Sequence, residues 1–271
     1  MKNSLKPILK WTGGKRREIK HFEKYFPTFE RFFEPFVGGG AVYWHLNHSN
    51  SIINDYDKGL INFYKMLKTN SAHIQTEVKQ ASLFNKNYEK MKSLYYEHRD
   101  IMDNDQCSDL DRAFSFLYVN KLCFSGMRRF NSQGKFNVPF GHYKTFNPAI
   151  TDEHIKLLNN TIIHNEDALQ LIPQYDNEGV FIFLDPPYTR VFKEYSPNNN
   201  FAETEQKLLS QKLNALQNAK WMLVINDSEE IRDLYKDCYF KEYSLKYGIN
   251  VKNRFDTKVT HLIISNYEMK N

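Results

Sequence analysis

Residues 180–188 read Val-Phe-Ile-Phe-Leu-Asp-Pro-Pro-Tyr, and no other stretch of the chain restricts its fold so strongly. Five successive apolar residues suit a strand buried on both faces, of the kind found in a parallel sheet covered by helices. The strand has to stop at Asp185, because Pro186 and Pro187 cannot continue it as sheet or helix. In an open α/β sheet such a stop marks the carboxyl edge, where ligands bind. Asp185, the Pro186 carbonyl and the Tyr188 ring then share one rigid corner. Two acceptors beside a stacking face suit a planar exocyclic amine.

The rest of the chain repeats the strand–helix alternation of a mostly parallel, doubly covered sheet. Short strands are predicted over 31–34 and 51–54, with a helix starting at Ala41 and another over about 58–70. The sheet resumes at 161–164 and continues through Val180–Leu184. A helix over 203–219, a strand at 221–225, a short helix near 229–236 and a strand at 260–265 complete it. Residues from about 71 to 160 read as an insertion, helical and polar at first, then aromatic and turn-rich. With 271 residues, 41% of them hydrophobic, the chain can bury a sizeable core.

Three features narrow the function. First, Phe36-Val-Gly-Gly-Gly40 lies between a strand and a helix, where glycines admit a ligand close to the backbone. It is not G-x-G-x-x-G, and no Lys-Ser/Thr follows for a phosphate loop. Glu34 beside it disfavours a pyrophosphate and favours a cation, such as a sulfonium or ammonium group. Second, Asp55 and Asp167 follow the next two strands, placed to bind ribose hydroxyls and an adenine amino group. The same residues also fit a bare turn, an Asx turn and a helix N-cap. Together, along one sheet edge, they favour a nucleoside-bearing cofactor.

Third, the 39 residues from 113 to 151 contain no Asp or Glu, where about four or five would be expected from 32 acids in 271 residues. The segment holds five Lys or Arg and nine Phe or Tyr. Within it, residues 128–138 read as a β-hairpin turning at 132–134. Basic residues interleaved with aromatics suit phosphate contact and base stacking, and an arginine at a ribbon tip can read guanine. The net charge of +5 is compatible with an anionic partner.

The three cysteines, Cys107, Cys123 and Cys238, have no metal-ligand spacing, so reduced thiols in a cytoplasmic protein and no bound metal are expected. No apolar stretch approaches membrane length and no signal-peptide core is present, so no membrane association is expected.

In this order, Leu9-Lys-Trp-Thr-Gly-Gly-Lys15, Phe33-Glu-Pro-Phe-Val-Gly-Gly-Gly40, Asn54-Asp55, Phe136-Asn-Val-Pro-Phe-Gly141 and Asp185-Pro-Pro-Tyr188 resemble the Dam-type (α-class) DNA adenine-N6 methyltransferases. The resemblance implies a Rossmann-like α/β methyltransferase core with an inserted helical and β-hairpin DNA-recognition domain. Residues 1–60 and 161–271 would form the core and 61–160 the recognition domain. It implies catalysis by Asp185, Pro186, Pro187 and Tyr188. S-adenosylmethionine would be held by Trp11, Lys15, Phe36, Gly38, Gly40, Asp55, Asp167 and Asp185. Double-stranded DNA would be touched by Lys10, Phe124, Met127, Arg128, Arg129 and Pro139.

GATC is the first recognition site to consider, although Ser125-Gly-Met127 and His142 stand where GATC-reading members often carry Asn-Gly-Leu and Arg. A cognate restriction endonuclease would be a functional partner, and a monomer is the default. Cytosine-N4 methylation needs the same acceptors. RNA or protein-glutamine methylation leaves the basic hairpin unexplained, and an inactive DNA-binding module has no need of the glycine turn or the catalytic tetrapeptide. The loop over 189–201 borders the site and reads equally as a segment that closes over a flipped base and as a plain surface loop. Lys246, Lys252, Arg254 and Lys258 read equally as backbone-phosphate contacts and as a solvated face.

Overall fold

A computed structural model of the chain describes residues 4–187, 203–246 and 258–270. A 3-10 turn over Lys15–Arg17 leads into α1 (Ile19–Phe22), β1 (Arg31–Glu34), α2 (Ala41–Leu46) and β2 (Ser51–Asn54). The insertion follows as α3 (Lys58–Thr69), α4 (Ser71–Ser82), α5 (Tyr88–Met102), α6 (Asp109–Leu122) and α7 (Asp152–Asn159). The chain then runs through β3 (Thr161–His164), α8 (Ala168–Leu171), β4 (Val180–Leu184) and α9 (Glu203–Ala215). It closes with β5 (Lys220–Asn226), α10 (Glu229–Leu234), β6 (Tyr239–Lys246) and β7 (Lys258–Ser265).

The strands form one seven-stranded sheet in the order β3-β2-β1-β4-β5-β7-β6. β1 to β5 pair in parallel, and β7 and β6 are added antiparallel at one edge. β4 sits at the centre with all five residues buried, as its unbroken apolar run requires. Its side chains alternate between two cores. Phe181 and Phe183 join one face, and Val180, Ile182 and Leu184 the other. Fully burying a side chain of this size contributes about 1.5–3 kcal/mol, so β4 is a major anchor of the sheet. The first core runs on without a break into the insertion, through Leu60, Phe63, Leu117, Tyr118 and Phe146.

β6 has no counterpart among the strands expected from sequence. It is an edge strand paired only with β7, and its Tyr-Phe-Lys-Glu-Tyr-Ser-Leu-Lys sequence lacks the apolar run that marks a central strand. The expected hairpin is a folded-back ribbon in which only isolated antiparallel bridges form, Phe130 with Phe136 and Cys123 with Phe140. Side chains do much of the work of a ladder there. Asn131 Oδ1 accepts from the Gln133 and Lys135 N–H groups at 3.0 and 2.9 Å. Phe136, Phe140 and Phe146 are buried, so part of the aromatic content serves packing. Among the described residues no helix is long and apolar enough to cross a membrane.

Candidate active site

Four neighbouring strands end in or just before a carboxylate: Glu34 at β1, Asp55 after β2, Asp167 after β3 and Asp185 after β4. Because these strands are parallel and adjacent, all four groups lie along one sheet edge. The strand order reverses beside β1, where the chain crosses from β3 to β4, and that switch point is where an open α/β sheet binds its ligand.

At the switch point Asp185 Oδ1 forms an ion pair with Lys15 Nζ at 2.9 Å. Lys15 is 2% exposed and Asp185 19%, so the lysine is buried while the carboxylate stays partly accessible. Lys15 also donates to the Gly13 carbonyl at 3.3 Å. The pair joins the N-terminal basic segment directly to the Asp185-Pro186-Pro187 corner. Pro186 is buried behind it, and Tyr188 lies outside the described residues.

The glycine turn is built as its residues demand. Gly38 and Gly40 have φ of +47° and +71°, in the left-handed region. Gly38 donates its N–H to Asp55 Oδ2 at 2.9 Å, and the Tyr64 hydroxyl donates to the Gly38 carbonyl at 3.1 Å. The group that approaches most closely is Trp11, since a Cβ on Gly38 would lie 2.6 Å from its indole nitrogen. Trp11 thus covers the turn, and Phe36 is half-buried against the second core.

Glu34 is not an exposed neighbour of the turn. It is 3% exposed, and its Oε2 accepts from the Tyr43 N–H at 2.9 Å. It thereby caps α2, whose own N-cap is Gly40 and brings no side chain. Burial first, then the nearby Asp185 charge, raises its carboxyl well above the usual range. Asp55 accepts from Gly38 on one oxygen and from the Asp57 N–H at 3.0 Å on the other. Burial, with the Asp57 carboxylate second, pushes it up to about 6 despite those bonds. Of the carboxyl groups at this edge, Asp185 is paired with Lys15, burial holds Glu34 toward its neutral form, and Asp55 is the group left to meet a cation once it ionises.

Asp167 is exposed and caps α8, accepting from the Leu169 N–H at 2.9 Å on Oδ1. Asn54 lashes the ends of β2 and β3 together, donating to the Glu166 carbonyl at 3.1 Å and accepting from its N–H at 2.9 Å.

The residues expected on the DNA side divide. Lys10 donates from Nζ to the Lys121 carbonyl at 2.6 Å and lies 3.7 Å from the Tyr143 ring centroid. It packs beside Gly126, next to a half-exposed Phe124 that is bonded by its N–H to Pro139 at 2.9 Å. Met127 is half-buried, and Arg129 is exposed and clasps Asn137 across the ribbon at 2.8 Å. Arg128 points the other way, into an ion pair with Asp57 and over the Trp11 ring. His142, at φ +57°, pairs through Nδ1 with the Tyr88 hydroxyl at 2.8 Å. The 189–201 loop, Lys252 and Arg254 lie outside the described residues, as do the side chains of Lys246 and Lys258.

Sequence reasoning missed a buried group behind Lys15. The Tyr243 hydroxyl donates to Glu18 Oε2 at 2.6 Å, and the His261 Nε2 is 4.0 Å from the same oxygen. Tyr243 stacks between His21 and His261, with centroids 4.9 and 5.2 Å away. Burial holds the His261 imidazole below its ordinary value, which Glu18 opposes. No local signal connects Glu18 to residues more than 200 positions later.

Chemically, this edge offers a carboxylate and a backbone carbonyl at a strand end, an acid-lined turn for a cation, and an exposed basic–aromatic ribbon. A family model described as D12 class N6 adenine-specific DNA methyltransferase matches residues 11–251. The chain is 35% identical to the type II methyltransferase M.CviBI of Paramecium bursaria Chlorella virus NC1A, over 97% of this chain and all of that protein. It is 31% identical to the type II methyltransferase M1.LlaDCHI of Lactococcus lactis, covering 98% and 97%. It is 28% identical to the DNA adenine methylase of Haemophilus influenzae, covering 95% and 92%. With the carboxylates, the glycine turn and the Asp-Pro-Pro corner gathered at one sheet edge, these matches place the chain in the D12 class of N6-adenine-specific DNA methyltransferases.

Proposed function

We propose that the protein moves a methyl group from S-adenosylmethionine to N6 of an adenine flipped out of a short duplex site. The observation that carries this reading is the Lys15–Asp185 pair, which sets the tetrapeptide carboxylate beside the glycine turn at the switch point. Trp11, Lys15, Phe36, Gly38, Gly40, Asp55, Asp167 and Asp185 form the cofactor side. The Asp55 and Asp185 carboxyl groups there fit a ligand carrying a sulfonium and an ammonium group. When bound, S-adenosylmethionine supplies an electrophilic methyl group.

A stacked, paired adenine cannot present its amino group in line with that methyl, so the base leaves the helix at a cost of a few kcal/mol. The Asp185 carboxylate and the Pro186 carbonyl accept from its two N–H groups, and Tyr188 stacks on the ring. The lone pair on nitrogen is drawn out of conjugation and forms the new N–C bond as the S–C bond breaks. The surplus proton on nitrogen leaves along its hydrogen bond. Positioning and fixed charge supply the rate.

Residues 61–160 form the recognition unit on a core of 1–60 and 161–271. Lys10, Phe124, Met127, Arg129 and Pro139 face the duplex. GATC is the first site to test, and a cognate restriction endonuclease, in keeping with the type II names of two relatives, is a functional partner. This reading sets the protein in the cytoplasm, with a monomer as the default state.

The deciding experiment is transfer from labelled S-adenosylmethionine to unmethylated genomic DNA, followed by nucleoside separation and mapping by sequencing. N6-methyladenine in one short motif is expected. N4-methylcytosine would move the substrate to the other exocyclic amine, and absence of label in DNA would overturn the proposal. Arg129→Ala is expected to relax discrimination at one base pair by about 1–3 kcal/mol. Competition binding with single-base variants checks it, and equal weakening on every duplex would make Arg129 a phosphate contact.

Asp55 gives the site a pH dependence. Its carboxyl stays protonated in the folded protein up to about 6, beyond its unfolded range, so stability falls as pH rises across that interval. Ribose hydroxyls and a cation both favour the ionised form. S-adenosylmethionine affinity is therefore expected to weaken by about tenfold per unit as pH falls below that value, and Asp55→Asn should remove the step. Calorimetric titration on both sides of the transition checks it; the same profile in the variant would exclude Asp55 as the titrating group.

A further inference from the structure

Two adjacent arginines in the ribbon face opposite ways. Arg129 is exposed, whereas Arg128 is turned toward the cofactor side, where the Asp57 carboxylate receives its guanidinium. Three rings surround that guanidinium: Trp11 with its centroid at 4.6 Å, Phe116 at 5.4 Å and Phe130 at 5.5 Å. A flat, delocalised cation can lie against rings and pair with a carboxylate at once, which an ammonium cannot do as well.

The partners of Arg128 lead straight to the glycine turn by two routes. Asp57 Oδ1 accepts from the Leu60 N–H at 2.9 Å and so caps α3, while its own N–H donates to Asp55. Asp55 in turn holds the Gly38 N–H. The second route is Trp11, which covers Gly38 and Gly39.

At the other end, Arg128 lies between Met127 and Arg129, and Phe130 of the same limb packs against Phe136 of the opposite limb. That opposite limb is anchored by another carboxylate, the Phe136 N–H donating to Asp103 Oδ2 at 2.7 Å. Under these anchors lies a cleft of about 650 Å³, lined by Asp57, Arg112, Phe116, Met127, Arg128 and Phe136 among others. The first limb of the ribbon, residues 128–130, thus borders a cleft and is tied down there by Arg128, while Phe136 and Val138 of the second limb are buried in the first core.

We propose that Arg128 is a positioning residue that couples the two sites. It fixes the recognition ribbon to the 55–57 loop, so that cofactor and cognate DNA bind cooperatively. The coupling rests on the reading given under Proposed function. A ligand on Asp55 changes the field at Asp57, Asp57 holds Arg128, and Arg128 sets where Met127 and Arg129 stand. Coupling is reciprocal, so DNA held by the ribbon tightens cofactor binding by the same factor.

The test uses the whole protein with Arg128→Met, Asp57→Asn and the double variant, in two measurements. The first needs no ligand and follows amide hydrogen exchange over residues 127–138. Each single variant is expected to speed exchange there by about tenfold, and the double variant by no more than either, because both remove one tie. Wild-type exchange in the single variants, or additive effects, would overturn the tie. The second is the affinity for S-adenosylmethionine with and without a duplex carrying the mapped site.

The wild-type affinity is expected to tighten about fivefold or more with the duplex. In Arg128→Met that gain should be lost, and Arg128→Lys should recover only part of it. Full coupling retained in Arg128→Met would overturn the proposal. So would a uniform loss of DNA affinity with a salt slope reduced by about one, the mark of a phosphate contact. A wild-type protein that binds no S-adenosylmethionine would overturn the cofactor reading and the cooperativity with it, while the exchange result still decides the tie.

Discussion

Asp185→Asn is expected to lower methyl transfer by about 10²–10³-fold while duplex binding stays close to wild type. Asp185 stands at the end of a strand whose five residues are all buried, so its position is set by the sheet rather than by a loop. Its carboxylate remains 19% exposed, next to a buried lysine at 2.9 Å. An amide keeps a carbonyl acceptor for Lys15 and nearly the same shape. It lacks the negative charge that the positive charge growing on the attacking nitrogen requires. Asp185→Ala is a harsher change. It takes the ion partner from a buried cation, at a cost of about 3–5 kcal/mol where nothing else compensates, and the Gly13 carbonyl compensates only in part. Single-turnover transfer, S-adenosylmethionine affinity, duplex affinity and melting temperature should be measured on both variants. A turnover in Asp185→Asn equal to wild type would remove Asp185 from the reaction. A loss confined to cofactor affinity would make it a ligand-holding group alone.

Much of this site was legible because strand ends leave marks. A run such as Val180–Leu184 has few places to go except the middle of a sheet, and prolines fix where it stops. Asp55 and Asp167 follow the same pattern, a short apolar strand and then an acid. The pairing of Lys15 with Asp185 was not legible as a contact, since only the sheet brings residues so distant in sequence together. Glu34 reads from sequence as a charge beside the turn, yet its bond to Tyr43 depends on α2 folding back over β1. The ribbon shows a different limit. Arg128-Arg129 reads as two equal basic residues, but successive side chains in extended chain point to opposite faces. One therefore faces solvent and the other the interior, and Asp57 and Trp11 decide which. β6 leaves no such mark for a related reason: an edge strand is free to be polar, and a polar edge has no period strong enough to stand out.

Gly40→Ala is expected to destabilise the protein by about 2–5 kcal/mol and to abolish S-adenosylmethionine binding. Two costs combine. The backbone at Gly40 has φ +71°, where a residue with a Cβ loses about 1–2 kcal/mol. The added carbon would also lie 2.7 Å from Trp44 Nε1, 2.8 Å from its Cδ1 and 3.3 Å from the Tyr64 hydroxyl. Trp44 has no room to yield: it is fully buried, with Tyr43, His154 and Tyr64 centroids at 4.6, 4.9 and 6.1 Å. Overpacking of such a core costs about 1–3 kcal/mol. Relief by shifting α2 would pull the Tyr43 N–H from Glu34 and leave a buried carboxyl without its bond. Gly134→Ala is the control, because it has a similar φ of +76° and nothing within 4 Å of the added carbon. It should cost only the backbone part, about 1–2 kcal/mol. For a chain of this size the difference corresponds to several degrees in melting temperature, well within reach of a thermal melt. Equal melting of the two variants would mean that Trp44 and α2 can adjust to a side chain. The glycine turn would then owe its three glycines to the ligand that occupies it rather than to the core beneath it.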